Sequence, residues 1–141
     1  MTAEANKYFG KYRGTVFNNV DPLQQGRIQA LVPDVLGDTP STFAMACLPL
    51  AGVQMGHLVP VVGSGVWIEF EAGDPTSPIW TGCFYESATD LDSGPGITFK
   101  AAGGAFFTID DAGISINNGK GATITLAGPS VDINDGALVI T

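Results

Sequence analysis

Val66-Trp67-Ile68-Glu69-Phe70-Glu71, then Gly73-Asp74-Pro75-Thr76-Ser77-Pro78, then Ile79-Trp80-Thr81-Gly82-Cys83-Phe84-Tyr85: two β-branched and aromatic runs stand on either side of a turn-forming break. Val66, Ile68 and Phe70 alternate with Trp67, Glu69 and Glu71, so a period of two gives the first run one apolar face and one mixed face. The second run has the length and composition of its partner. Toward the N-terminus, residues 8–17 and 27–32 have the same texture, separated by the turn-favouring Asn18-Asn19-Val20-Asp21-Pro22. Residues 33–42 read as a loop by composition, and 43–48 resume an extended pattern. Five strands in about 80 residues with one long excursion predict a small barrel of the OB type.

Beyond residue 86 the texture changes. Residues 87–96 are acidic and small and read as a linker. From there, apolar residues come in pairs one position apart: Ile97/Phe99, Phe107/Ile109, Ile114/Ile116, Ile124/Leu126, Val131/Ile133 and Leu138/Ile140. Asn, Asp and Gly turns separate the pairs, and the steps from Ile124 to Val131 to Leu138 are each seven residues. Strands this short bury too little apolar surface to offset the ordering entropy of an isolated segment. Three copies wound about one axis would share a core and pair strand edges between chains. The alternative is a set of hairpins packed on the barrel. The organisation expected is a tail at 1–9, an OB barrel at 10–86, a linker at 87–96 and a trimeric, intertwined triple-stranded β-helix at 97–141.

Charged residues make up only 14% of the 141, against roughly 25% in ordinary soluble proteins, leaving little charge to cover an isolated surface. That shortage favours the oligomer. The net charge of −8 and the lack of Lys or Arg across residues 28–96 disfavour nucleic acid and anionic lipid. No segment has the composition of a signal peptide or a membrane span, which points to synthesis in the cytoplasm. His57 is the single histidine, and no phosphate loop, metalloprotease helix, nucleophile elbow or CxxC pair occurs. Asp132-Ile133-Asn134-Asp135-Gly136 has the wrong ligand spacing for a calcium loop, and adjacent Asp110-Asp111 point apart on a strand. No enzyme, cofactor or metal site is expected. Cys47 and Cys83 could pair if their strands adjoin, but in a cytoplasmic product they read rather as small buried hydrophobes.

Gly14-Thr15-Val16, Gly26-Arg27-Ile28-Gln29-Ala30-Leu31-Val32-Pro33, Pro60-Val61-Val62-Gly63, Val66 to Pro75 and Pro78-Ile79-Trp80-Thr81-Gly82 together resemble the OB domain of spike proteins in contractile injection machines. That family includes phage baseplate assembly protein V and the VgrG-type spikes of type VI and extracellular injection systems. The resemblance implies a homotrimeric central spike with a C-terminal β-helical needle, assembled into a baseplate and meeting a target membrane only during puncturing. Because about nine residues precede the barrel, it implies a hub protein supplied as a separate chain. Some relatives close the needle tip with iron on a His-x-His motif, and no histidine follows position 57 here.

Ile114, Ile116, Ile124, Leu126, Val131 and Ile133 are the residues expected to line the shared core. Leu138, Val139, Ile140 and Thr141 are expected to receive a conical PAAR-type tip protein, since a trimer would otherwise present its last apolar layer to water. A rival reading makes the barrel a glycan-binding or other ligand-binding module working through Trp67, Trp80 and Tyr85, and a third, a tail adhesin, would present an exposed receptor-binding tip instead of a capped one. Packing inside a barrel or an interface is the plainer expectation for both tryptophans.

Overall fold

A computed structural model describes residues 5–49, 58–87 and 96–141; His57 and all of the expected linker except its two ends lie outside them. The chain divides into two compact units, with the division after residue 90. No helix among the described residues is long and apolar enough to cross a membrane.

The first unit contains β1 (Tyr12–Asn18), β2 (Gln29–Leu31), α1 (Pro33–Leu36), β3 (Met45–Ala46), β4 (Gly65–Phe70), a 3-10 turn (Glu71–Gly73) and β5 (Pro78–Phe84). The strands lie in the order β2-β1-β4-β5-β3, with β3 parallel to β5 and the other pairs antiparallel. Isolated bridges Ile28↔Ala44 and Leu31↔Pro40 join the β2 segment to the one leading into β3, which curls the sheet round on itself. This is the OB arrangement. Register shifts at Val16/Asn18 and at Trp67/Ile68 supply the bends that a small barrel needs.

Alternation fills the core as the sequence suggests: Val66, Ile68 and Phe70 turn inward with Val16, Ile28, Ala30, Val32, Ala44 and Trp80, all at most 7% exposed. Glu71 leaves the strand, however, because its N–H donates to Ser77 and its carbonyl accepts from Asp74, drawing the chain into the 3-10 turn. Residues 33–36, expected as loop, form one helical turn. Pro33 presets the helical φ, Leu36 N–H donates to the Val32 carbonyl, and Val35 and Leu36 pack on the core. Tyr8, ahead of the expected barrel start, packs edge-on against Tyr12 and at a tilt against Phe70.

The second unit is one antiparallel meander of β6 (Ile97–Lys100), β7 (Phe106–Asp110), β8 (Gly113–Asn117), β9 (Thr123–Ala127), β10 (Ser130–Ile133) and β11 (Leu138–Ile140), adjacent in chain order. Asx side chains close its hairpins: Asp110 Oδ1 accepts from Ala112 and Gly113, and Asn118 Oδ1 from Lys120 and Ala122. At the β10–β11 turn, Gly136 N–H donates to Asp132 Oδ1. The strand edges expected to pair between chains are paired here within one chain for β7 to β10, because every turn is short enough to bring successive strands together. What the unit leaves for other copies is a face, together with the outer edges of β6 and β11.

Candidate assembly surface

Hairpin register and a period of two together decide that face. Ile97, Ile109, Ile114, Leu126, Val131 and Ile140 stand opposite one another in succession from β6 to β11, forming one row across the sheet. Two residues along each strand, Phe99, Phe107, Ile116, Ile124, Ile133 and Leu138 form a second row on the same face. With neighbouring strands about 4.8 Å apart, each row runs roughly 24 Å.

The rows contain no polar side chain; eight of their twelve residues are exposed, and Phe107, Ile114, Val131 and Ile133 are half-buried. Exposure is 56% at Ile97, 59% at Phe99, 46% at Ile116 and 40% at Ile124, whereas the barrel core is closed. On the opposite face, Thr98, Thr108, Ser115, Thr125 and Asp132 form the row between them. A sheet with one wet face and one bare apolar face is half of a packed layer. Unlike scattered exposed hydrophobes, a contiguous strip of this size marks an interaction surface.

All six expected core residues, Ile114, Ile116, Ile124, Leu126, Val131 and Ile133, lie in these two rows. Sequence reasoning placed Leu138, Val139, Ile140 and Thr141 together, but the structure separates them. Leu138 and Ile140 continue the rows, Val139 pairs with Asp132 on the wet face, and Thr141 follows the strand.

The barrel does not gather Trp67, Trp80 and Tyr85 into a binding platform. Trp80 is 7% exposed and donates its indole N–H to the Gly26 carbonyl at 3.0 Å, so it belongs to the core. Trp67 lies on the outer wall with its ring 4.8 Å from that of Phe84, and Tyr85 is exposed. Cys47 and Cys83 are free and exposed, contrary to the expectation of buried thiols. β5 buries Pro78 and Trp80, whereas Cys83, near the end of the strand and opposite the buried Val66, stays exposed. Partial burial still raises the Cys83 pKa, which disfavours thiolate chemistry.

Two features escaped the sequence reading. Asp21, taken as a turn residue, accepts N–H bonds from Leu23, Gln25 and Arg27 and a forked pair from the Arg27 guanidinium at 2.7–3.1 Å. The Arg27 hydrogen bond first, and the backbone donors after it, outweigh desolvation and hold this carboxyl far below the ordinary range. Arg27 in turn lies over Phe43 at 4.9 Å, so the first turn of the barrel is pinned to the β3 side. The second feature is Arg13, stacked over Trp67 and Phe84. The six-residue spacing of Asp21 and Arg27 across a Gly-containing turn was a usable signal; no local pattern marks Arg13.

Residues 12–85 match the type VI secretion system/phage-baseplate injector OB domain, and residues 88–139 match the phage baseplate V C-terminal trimerisation domain. No protein with a curated description matches the chain. Both matched families are structural baseplate or spike domains, and the second supports a homotrimer. With its OB barrel and trimerisation sheet accounted for in succession, the chain belongs to the phage baseplate V and type VI injector family, as a baseplate spike component.

Proposed function

We propose that this protein is the homotrimeric central spike of a contractile injection machine, joining a separate hub protein at its barrel end to a needle that pierces the target envelope when the sheath contracts. The observation that carries the reading is the pair of unbroken apolar rows spanning all six C-terminal strands. Three such sheets, apolar faces inward about an axis parallel to the rows, enclose Ile114, Ile116, Ile124, Leu126, Val131 and Ile133 in one core. Each chain then forms one wall of the needle. Bending that needle would open ladder hydrogen bonds within walls and side-chain packing between them at the same time.

Toward the C-terminal end the core rows reach the edge strand β11, whose outer side has no strand partner among the described residues. A PAAR-type tip protein seated on Leu138, Val139, Ile140 and Thr141 would cover both the last apolar layer and that edge.

Native mass of the purified chain tests the reading, with a parallel chain ending near Gly96. A mass of about 44 kDa, three times 14.6 kDa, falling to the monomer value on truncation, is the expected result. A full-length monomer would exclude the shared core. Failure of a soluble trimer to bind its cognate tip protein would remove the docking role alone.

A further inference from the structure

The barrel carries a second surface built from residue types that dominate protein interfaces. Across the outer wall of β1, β4 and β5, Arg13 stands opposite Trp67, and Gly65 opposite Phe84. The Arg13 guanidinium carbon lies 4.9 Å from the Trp67 ring centre and 4.6 Å from that of Phe84. Stacking occupies the face of a guanidinium and leaves its in-plane N–H donors available. Arg13 is exposed and forms no ion pair with a carboxylate among the described residues, where the pairs are Lys11–Glu69 and Arg27–Asp21. Beside it, Arg13, Thr15, Pro33, Phe84, Tyr85 and Glu86 line an open cleft of about 530 Å³, with Tyr85 66% exposed.

We propose that this wall docks a loop of a separate protein chain, which places an Asp or Glu carboxylate on Arg13 and an apolar side chain against Phe84 and Tyr85. The two rings restrict the Arg13 rotamers before binding, so a forked pair with a carboxylate forms at a reduced entropic cost. Arg, Trp and Tyr are also the residues on which interface energy concentrates. Glu86 in the same cleft and a net charge of −8 favour a single carboxylate on a protein loop over a polyanion such as nucleic acid. The inference rests on the spike reading in one respect: the partner is a neighbour in the assembled particle.

The test uses the full chain with Arg13→Glu and with Arg13→Met, which keeps an apolar stem against the rings. Native mass and melting temperature of each isolated variant are measured first; the native mass of both is expected to match the wild type, with melting lowered by no more than a few degrees for the lost stacking. The amount of chain in particles purified from the native host is then expected to fall at least tenfold for Arg13→Glu, with Arg13→Met intermediate. Selected suppressors of Arg13→Glu are expected to change Asp or Glu to Lys or Arg in a different chain. Wild-type incorporation of both variants would overturn the proposal, as would loss of the isolated trimer in both, which would make Arg13 a folding residue. Suppressors confined to this chain would assign the wall to a second copy and overturn the separate partner. Absence of the wild-type chain from the particles would sink the spike reading itself, and the partner with it.

Discussion

Ile124→Asp puts one carboxylate per chain into the middle of the second row, between Ile116 on β8 and Ile133 on β10. In the single chain Ile124 is 40% exposed, so the proposed trimer gains about 1–2 kcal/mol per chain by covering it. That gain disappears in the variant. The new side chain must also either keep its charge in an apolar core or take up a proton. From an ordinary pKa near 3.9, protonation at pH 7 costs about 4 kcal/mol, and keeping the charge costs at least several. The penalty is therefore roughly 5–6 kcal/mol per chain and at least about 15 kcal/mol per trimer, some ten decades in the dissociation constant. Light scattering at about 10 µM should read a monomer mass where the wild type reads a trimer. Acid offers a check of sign: burial raises the Asp pKa in the trimer, so the trimer is favoured below the unfolded pKa and lost as pH rises through the trimer value. Partial recovery of the trimer near pH 4 is expected. Thr125→Asp, one residue on and on the wet face, should leave the mass unchanged. A trimer of Ile124→Asp with wild-type melting at pH 7, or equal disruption by Thr125→Asp, would refute the shared core.

Asp21→Asn removes the carboxylate that gathers the 21–27 turn and should lower the melting temperature of the barrel at pH 7. Because the folded pKa of Asp21 is depressed, its contribution is present above the unfolded value near 3.8 and lost as pH falls through the folded value, so the melting gap between wild type and variant should narrow as pH falls below about 4 in an acid melting series. Gly113→Ala meets a φ of +140° and a Cβ position overlapping the Leu126 carbonyl, and should cost about 2 kcal/mol or more per chain in thermal unfolding, whereas Gly103→Ala should be neutral. Val139→Asp, on the wet face of β11, should preserve the trimer by native mass while weakening capture of the tip protein; loss of the trimer would show that Val139 is buried between chains.

The C-terminal rows were legible because they need only local information. Alternation picks the inward residue of each pair, and short Asx and Gly turns fix which pair stands opposite which. The same logic found Val66, Ile68 and Phe70. It failed at Glu71, where the strand's period runs on in the sequence but a backbone bond to Ser77, set by the Gly-Asp-Pro turn, ends the strand first. The turn at 33–36 was hidden because four residues carry no helical period, and the exposure of Cys83 because no local pattern marks that the core stops short of the end of β5. Val139 was grouped with its neighbours by hydropathy alone, although period two assigns it to the other face. Arg13 was invisible for another reason: its partners are 54 and 71 residues away, and only the barrel topology brings them together.

The two units therefore solve the burial problem in opposite ways. The barrel closes its sheet through the Ile28↔Ala44 and Leu31↔Pro40 bridges and takes its apolar residues inside, so it needs no other copy to complete its core. The meander pairs its strands in chain order, leaving only the outer edges of β6 and β11, but keeps most side chains of both rows exposed, so its hydrogen bonding is largely finished within one chain and its packing is not. In the proposed needle this divides the resistance to deformation. Separating the walls costs apolar burial distributed over twelve row positions in each chain, with no single contact on which failure could begin. Sliding one strand past the next within a wall requires a two-residue step to keep the faces matched, since a one-residue slip would turn every row residue outward. A wall that can neither slip by one residue nor part at one point is suited to transmitting a compressive load along the rows, which is the direction the spike reading assigns to the thrust.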